Sequence, residues 1–347
     1  MNNTSTFLYV CIFIFSLITS SLLVPLLKNV AFHFSILDKP NQVHKTHQNS
    51  IPYLGGLSIV IPILILAVTG PWILVQDSDY KIRLTLILAP AIALAVLGLL
   101  DDIKNLSASS RFLVQTILSL ISTFYLFDLG YGVSITNSST ANLLISIFWL
   151  VGITNAFNFF DNLDGGAAGI AVVSSLTLFL LALIRAQYVV ASLALALAGA
   201  SLGFLFWNRS PAQIYLGDSG ALFIGFLLAL SLLQFEPGVE SQFASALIPI
   251  FVMALPIIDT TVVVISRLSR GISIFQGGRD HLSHRLISLG MSRKKSAYTL
   301  WALAIAFSSL SLVSTIAERG ISVAISLLGL TCMGLITIWF LRISNDT

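Results

Sequence analysis

The sequence predicts an all-α polytopic membrane protein, and three observations carry this prediction. Of its 347 residues, 56% are hydrophobic and only 10% are charged, whereas a soluble chain typically carries about 25% charged residues. The apolar residues are gathered into runs of about 20, the length that a helix needs to cross a bilayer. Lysines and arginines concentrate in alternate connections between these runs, which is typical of cytoplasmic loops. The small formal charge of +3 gives no indication of nucleic acid binding.

About eleven apolar runs are candidate spans, and we expect residues 1–347 to form one integral membrane domain. Residues 1–6 lack the basic start of a signal peptide, and the run after them is longer than a signal core, so it is expected to remain as the first span. Cys11 and Cys332 lie inside apolar runs, which argues against a disulfide framework or a thiolate metal site. The approximate span cores are 7–28, 54–75, 82–100, 112–130, 141–158, 167–184, 188–207, 220–235, 243–266, 297–316 and 321–341.

The placement of basic residues predicts that the N-terminus lies outside and the C-terminus in the cytoplasm. An odd number of spans puts the two ends on opposite sides. In this orientation, all of the 18 lysines and arginines except Lys81, Arg83, Arg185 and Arg319 fall on the cytoplasmic side. The predicted cytoplasmic loops, which also hold the polar motifs described below, are about 29–53, 101–111, 158–167, 208–220 and 267–296.

A ladder of polar residues marks the end of the fifth run. Asn155, Asn158, Asp161 and Asp164 recur every third residue and are followed by two glycines. Each three-residue step rotates a helix by about 60°, so the four side chains cannot share one face. The pattern predicts a membrane helix that ends in an acidic turn. Polar groups entering an apolar segment are costly and mark functional sites; an ordinary Asn/Asp/Gly loop is the alternative.

Two more acidic motifs lie on the predicted cytoplasmic side. Asp101 and Asp102 follow an apolar helix directly, where adjacent carboxylates repel each other and require a cation or a shared proton. Mg²⁺ is the hard ion that suits such oxygen ligands and phosphate substrates. Asp218 lies in the sequence Gly-Asp-Ser-Gly, where glycine permits close approach to a ligand and a helix start offers N–H groups to phosphate.

Basic residues form two further candidate motifs, and one acid lies at membrane depth. In the first cytoplasmic loop, Lys45 either faces an anionic ligand or anchors the loop at the membrane. His281 and His284 are three residues apart beside Arg285, and no Cys or Glu completes a zinc set, so a cationic clamp on a diphosphate is favoured. Asp259, inside the ninth run, is either a site residue or half of a structural ion pair.

In this order, the motifs resemble those of the polyprenyl-phosphate N-acetylhexosamine-1-phosphate transferase family, or glycosyltransferase family 4. The resemblance extends over about residues 37–295. The Asp101-Asp102 pair resembles its Asp-Asp motif, the ladder its Asn/Asp signature, residues 217–220 its Gly-Asp motif and residues 280–285 its histidine loop.

The resemblance implies a reaction, a cofactor and a location. The reaction is transfer of N-acetylhexosamine-1-phosphate from a UDP-sugar to undecaprenyl phosphate with release of UMP, as the first membrane step of cell-envelope polysaccharide synthesis. The cofactor is Mg²⁺, or Mn²⁺ in its place, because two anions must meet. The active site would face the cytoplasm at the inner (plasma) membrane. The partners would be the UDP-sugar, the lipid phosphate and the bilayer, without nucleic acid; homodimerisation is left open.

The resemblance also implies roles for individual residues. Asp101 would accept a proton from the lipid phosphate or orient it, and Asp161 and Asp164 would address the uridine end. The implied sets are as follows: metal, Asp218, Asn158 and Asp102; catalytic, Asp101, Asp102, Asp161, Asp164, His281 and His284; substrate-binding, Lys45, Asn155, Asp161, Asp164, His281, His284 and Arg285.

The sequence departs from the family pattern at three places, and the departure in the histidine loop bears on the donor. Gly166 replaces a usual Leu, Asn41-Gln42 replace a basic pair, and residues 281–285 do not form the three-histidine run of the phospho-MurNAc-pentapeptide branch. The donor implied is therefore UDP-GlcNAc, with MurNAc-pentapeptide or another UDP-amino sugar as alternatives. A transporter is disfavoured because the acids collect at helix ends, whereas transporters place coupling residues near the midplane of repeated halves.

Overall fold

The computed structural model describes residues 3–38, 50–74, 78–132, 135–274 and 278–343. These ranges fold almost entirely into helices, as the apolar runs predict, with one pair of two-residue strands at one end. The elements are α1 (Asn3–His33), β1 (Leu37–Asp38), β2 (Ile51–Pro52), α2 (Gly55–Leu74), α3 (Ser78–Lys104), α4 (Ala108–Asp128), α5 (Ser139–Phe160), α6 (Gly166–Ile184), α7 (Tyr188–Asn208), α8 (Gly217–Gln234), α9 (Gln242–Val252), α10 (Ala254–Ser269), α11 (Leu282–Ser288), α12 (Arg293–Ile316) and α13 (Arg319–Arg342).

The prediction of an all-α polytopic membrane protein is confirmed. Within the described ranges, nine helices are long and apolar enough to cross a membrane. Two predicted spans differ from these nine: the apolar part of α2 is short, at Gly55–Gly70, and the ninth span consists of two helices. The number eleven and the orientation of the termini stay predictions.

The ninth span was expected to be one helix over 243–266, and this expectation is wrong. The chain breaks at Met253 into α9 and α10, which are bent by 78°. Pro256 explains the break, because its ring would clash with the carbonyl of Val252 and its nitrogen has no proton to donate in a continuous helix. In the first turn of a new helix the missing donor costs nothing.

Helix α8 lies at the centre of the bundle. Buried residues make up 89% of its apolar stretch, against 22% for the stretches of α1 and α13. Glycine allows its neighbours to approach closely: a Cβ on Gly98 of α3 would lie 2.4 Å from the backbone of Asp218. This approach sets the last turn of α3, with Asp101 and Asp102, beside the first turn of α8.

A second set of backbone contacts holds the strands at the same end of the bundle. Strand β1 pairs antiparallel with β2, and Tyr215 N–H donates to the carbonyl of Pro52 at 2.8 Å. The amides of Gly55 and Gly56 donate to the carbonyls of Tyr215 and Leu216. The start of α2 is therefore tied to the connection that precedes α8.

Candidate active site

The acidic motifs, far apart in the sequence, line one cavity of about 480 Å³ at one end of the helices. The carboxylates come from the last turn of α3, the turn between α5 and α6, and the first turn of α8. His284 of α11 and Arg293 of α12 reach the same cavity from the histidine-loop side. The predicted residues that line it are Asp101, Asp102, Asn158, Asp161, Asp164, Asp218 and His284.

Asp102 caps the start of α8. Its Oδ1 accepts a hydrogen bond from the Asp218 N–H at 2.9 Å and its Oδ2 accepts one from the Ser219 N–H at 3.2 Å. A negative charge at this position is also favoured by the helix dipole. Gly217 makes the approach possible, because it adopts a φ of +72° and a Cβ there would lie 2.7 Å from Asp102 Oδ2. Asp102 therefore positions Asp218, and both of its oxygens already accept backbone hydrogen bonds.

Arg111 bridges two of the predicted site carboxylates. Its Nη1 donates to Asp101 Oδ2 and, at 2.9 Å, to Asp218 Oδ2. Asp101 is held from the other side by the Leu106 N–H, which donates to Oδ1 at 2.6 Å. Arg111 lies in the first turn of α4, one turn after the N-cap Ser107. A cation thus lies between two carboxylates, one of which, Asp218, is 107 positions away from Arg111 in the sequence.

The two asparagines of the polar ladder face different surroundings. Asn158 donates through Nδ2 to Asp218 Oδ1 at 2.9 Å and lies in the cavity wall. Asn155, one turn deeper, donates instead to Gln115 Oε1 at 2.5 Å and to the Val151 carbonyl, and it is not part of the wall. The helix rotation expected from the three-residue spacing accounts for this division.

Asp161 and Asp164 lie in the acidic turn that the sequence predicted after α5. Asp161 is the C-cap of α5, and Gly165 follows with a φ of +73°. Asp164 accepts from the Ala212 N–H at 3.2 Å, and Arg293 Nη1 lies 4.0 Å from the same oxygen. Burial raises the pKa of Asp161 to about 7, and the charges of Asp218 and Asp164 act in the same direction.

In the histidine loop, only His284 reaches the cavity. Burial lowers the pKa of His284 to about 4, with the neighbouring His281 as the next cause, so this imidazole is neutral at pH 7. His281 is buried and faces Asp259, with Nδ1 2.7 Å from Asp259 Oδ2. The interpretation of these histidines as a cationic clamp therefore does not describe the protein without substrate.

The expectation that Arg285 faces a diphosphate disagrees with the structure. Arg285 is 2% exposed and donates to the carbonyls of Asp280, Phe340 and Ile343 and to Ser266 Oγ at 2.7–3.0 Å. Successive residues of a helix point about 100° apart, so Arg285 faces the end of α13 while the adjacent His284 faces the cavity. Its position beside His284 in the sequence gave the misleading signal.

One predicted site residue and two unpredicted ones complete the comparison with the sequence. Lys45 and the neighbouring Asn41-Gln42 lie outside the described residues. Arg111 and Arg293 line the cavity but were expected only as cytoplasmic charges. The position of Arg111 four residues after a Ser N-cap is the signal that places it at a helix start facing the acidic end.

The cavity residues suit a divalent ion that completes its shell with substrate oxygens. Among the described residues, no three Asp, Glu, His or Cys side chains form a ready-made metal cage. Mg²⁺ needs no such cage, because it binds through one or two carboxylates plus substrate phosphates and water. Asp218 and Asn158 are already side by side and supply that number of oxygen-bearing groups. The donor set therefore fits Mg²⁺.

Comparisons with known proteins find a matching family model and several similar proteins. The family model described as glycosyl transferase family 4 matches residues 84–236. The probable undecaprenyl-phosphate N-acetylglucosaminyl 1-phosphate transferase of Bacillus subtilis is 34% identical over 87% of this chain and 83% of its own length. The decaprenyl-phosphate N-acetylglucosaminephosphotransferase of Mycobacterium tuberculosis H37Rv is 31% identical over 76% and 73%.

A relative with a different donor in its name is also similar. The phospho-N-acetylmuramoyl-pentapeptide-transferase of Geobacillus thermodenitrificans is 29% identical over 86% of this chain and 94% of its own length. All three relatives match most of the chain, and the family model covers the helices that carry Asp101, Asp218 and the acidic turn. From these matches and the family model, the protein belongs to glycosyl transferase family 4.

Proposed function

We propose that the protein transfers N-acetylglucosamine-1-phosphate from UDP-GlcNAc to undecaprenyl phosphate and releases UMP. The observation that carries this proposal is the cavity at the helix ends, where Asp218 and Asn158 lie beside a cation held between carboxylates. Such a site suits two phosphate-bearing reactants that must be brought together against their own repulsion. Relatives named for this transfer to undecaprenyl or decaprenyl phosphate support the assignment.

In the proposed reaction, an oxygen of the lipid phosphate attacks the β-phosphorus of the UDP-sugar. The bond from that phosphorus to the bridging oxygen breaks, and UMP leaves with that oxygen. Bound at Asp218 and Asn158, Mg²⁺ would neutralise charge on the diphosphate. Arg111 adds a fixed positive charge at the same place, and Asp101 orients Arg111 through its hydrogen bond.

Other residues of the cavity have roles that follow from their protonation states. Asp161, with a pKa of about 7, is suited to exchange a proton with the lipid phosphate at neutral pH, because that phosphate titrates near pH 6. The neutral His284 can donate or accept one hydrogen bond from the cavity wall. Asp164 and Arg293 form the part of the wall proposed to contact the uridine end.

We place this cavity on the cytoplasmic face of the plasma membrane. The ends of helices that surround the cavity carry most of the basic residues, including Lys28, Arg209, Arg293, Lys294 and Lys295. The positive-inside rule assigns such ends to the cytoplasm. The N-terminus is then outside, as proposed from the sequence.

UDP-GlcNAc is favoured over a UDP-MurNAc-pentapeptide donor. The matched relative named for N-acetylglucosamine is 34% identical, and the one named for the pentapeptide is 29% identical over a similar share of the chain. The histidine loop also departs from the three-histidine run of the pentapeptide branch. Incubation of the purified protein with each donor and undecaprenyl phosphate tests this choice, because only the true donor gives UMP.

The deciding experiment measures UMP release by the detergent-solubilised protein with UDP-GlcNAc, undecaprenyl phosphate and Mg²⁺. Asp218→Asn is expected to lower the rate about 10³-fold, because one metal-binding charge is lost where phosphate charge is greatest. Chelation by EDTA should stop the wild-type reaction, and Mg²⁺ or Mn²⁺ should restore it. The matched control is Asp128→Asn, an exposed carboxylate at the far end of α4, which should leave the rate unchanged. Full activity of Asp218→Asn would refute the assignment.

A further inference from the structure

A buried carboxylate in the second half of the broken ninth span contacts the histidine loop. Asp259 lies in the second turn of α10, six residues after the break at Met253, and is 1% exposed. It does not line the cavity, so the proposed reaction leaves it without a role. A buried charge of this kind is costly unless its hydrogen-bonding capacity is used.

Both oxygens of Asp259 are occupied by the start of α11. Oδ1 accepts the backbone N–H of Leu282 at 2.7 Å, and Oδ2 lies 2.7 Å from Nδ1 of His281. His281 is the N-cap of α11. Asp259 therefore does for α11 what a capping side chain does within one helix, but from a different helix.

The contact between Asp259 Oδ2 and Nδ1 fixes which nitrogen of His281 carries the proton. A carboxylate accepts hydrogen bonds and cannot donate them, so His281 donates from Nδ1. In neutral His281 the other ring nitrogen, Nε2, is then without a proton and acts as an acceptor. The pair thus sets both the orientation of the ring and its tautomer.

Short contacts connect this pair with the cavity. His284, in the first turn of α11, lines the cavity, and its ring centroid is 6.0 Å from that of His281. Ser283, between them, donates its hydroxyl proton to Asn162 Oδ1 in the acidic turn. The position of α11 against the cavity therefore depends on contacts at its first three residues.

We infer that Asp259 is a positioning residue: it holds His281 in the Nδ1-protonated tautomer and anchors α11 so that His284 faces the substrate. The inference rests on the proposed function only for the effect on the reaction. The tautomer itself is a property of the protein without substrate.

The first arm of the test determines the tautomer by ¹⁵N NMR on histidine-labelled protein at pH 8 without substrate. The protein has five histidines, and His281→Gln identifies the signals of His281. Wild-type His281 should show a protonated Nδ1 and a bare Nε2. In Asp259→Asn, the side-chain oxygen of the new asparagine still accepts the Leu282 N–H. Its NH₂ group then faces Nδ1 of His281. Because NH₂ is a donor, Nδ1 must act as the acceptor and the ring proton moves to Nε2. Retention of the original tautomer in this variant would overturn the inference.

The second arm measures UMP release by the same variant. We expect kcat to fall about 10- to 100-fold, the usual cost of losing a residue that orients a site group, with little change in KM. Thr260→Val is the matched control, because the hydroxyl of this neighbouring residue has no hydrogen-bond partner among the described residues. It should retain the wild-type tautomer and rate.

The two arms separate failure of the inference from failure of the proposed function. A tautomer change with an unchanged kcat would overturn the positioning role while leaving the transferase proposal intact. Absence of UMP release from the wild-type protein would refute the proposed function, and the NMR arm would still decide the tautomer. If Asp259→Asn does not fold, the wild-type spectrum alone decides: an Nε2-protonated His281 is incompatible with the inference.

Discussion

Two groups of aspartate and arginine side chains in this protein combine their charges in opposite proportions. In the cavity, the single guanidinium of Arg111 is shared by Asp101 and Asp218. In the histidine loop, the single carboxylate of Asp280 is shared by Arg267 and Arg270, at 2.7 and 2.8 Å. The cavity group has an excess of carboxylates, whereas the loop group has an excess of guanidinium groups.

The consequence is visible in burial and in pKa. Burial would raise the pKa of Asp280, but hydrogen bonds from Arg267 and Arg270 outweigh it, and the pKa is lowered. The side chains of Asp280 and Arg267 are 10% and 5% exposed, while those of Asp218 and Arg111 are 30% and 31% exposed. A fully compensated carboxylate of this kind holds a loop in place. An accessible carboxylate that shares its cation with a second carboxylate, as Asp218 does, can still interact with a further cation such as Mg²⁺ or with a substrate that carries a cation.

The largest expected effect in this comparison comes from removing the shared cation of the cavity. Arg111→Gln should lower UMP release about 10²-fold, because the reacting phosphates lose a fixed positive charge. The same variant should bind Mn²⁺ more tightly than wild type when no substrate is present, because Asp218 Oδ2 no longer faces a competing cation. Electron paramagnetic resonance of free Mn²⁺ measures this affinity.

The charge-conserving variant Arg111→Lys is the control for this prediction. An ammonium group can donate to both carboxylates, so Mn²⁺ affinity should return toward the wild-type value and part of the activity should be recovered. Weaker Mn²⁺ binding by Arg111→Gln would mean that Arg111 organises the carboxylates for the metal rather than competing with it.

An intermediate effect, on stability, is expected at Arg285, which donates to the backbone carbonyl of Asp280. Arg285→Ala removes donors to Phe340, Ile343 and Asp280 carbonyls that are buried at the junction of α11 and α13. The loss should cost about 2–4 kcal/mol of stability, because buried acceptors lose charged partners. Thermal unfolding in detergent should occur at a lower temperature, while the KM for UDP-GlcNAc of the folded protein stays unchanged. A raised KM for UDP-GlcNAc with an unchanged unfolding temperature would instead support the role predicted from the sequence, in which Arg285 binds the diphosphate.

The sequence predicted some residues of the candidate site and missed or misassigned others. The sequence predicted that Asp101, Asp218 and the acidic turn would lie together, and they line one cavity. Each motif interrupts or ends an apolar run, and helix ends on one side of a bundle share one surface. Arg111 was missed because its partner Asp218 lies 107 residues away in the sequence. The Ser N-cap before Arg111 indicates a helix start but not which carboxylates that start faces. Arg285 was misassigned because neighbouring residues of a short helix face different surroundings.

For the fold, the sequence predicted the helices but missed one break. Runs of about 20 apolar residues identified the helices, because a bilayer allows few other structures. The break at Met253 was missed because α9 and α10 are both apolar and together have the length of one span. Pro256 was a local signal against a continuous helix, but only the packed structure shows that the chain uses it to bring Asp259 to α11.

The smallest expected effects are opposite pH dependences of stability within the cavity wall, measured with EDTA present. His284 has a pKa of about 4 when folded and an ordinary value of 6.5, so the unfolded chain gains its proton first and stability falls as the pH decreases through that window. Asp161 has a pKa of about 7 when folded and an ordinary value of 3.8. The folded protein then binds the proton first, and stability rises as the pH decreases from 7 toward 4.

The variants His284→Gln and Asp161→Asn separate these contributions. Unfolding midpoints at pH 7.5 and 5.0 should show that His284→Gln gains more stability on acidification than wild type does, and that Asp161→Asn gains less. Each difference should be about 2 °C, since the two groups offset each other in the wild-type protein. Identical pH responses in both variants would mean that neither group is desolvated as the cavity geometry requires. Opposite responses would show that the wall buries one carboxyl and one imidazole in their neutral forms near pH 6.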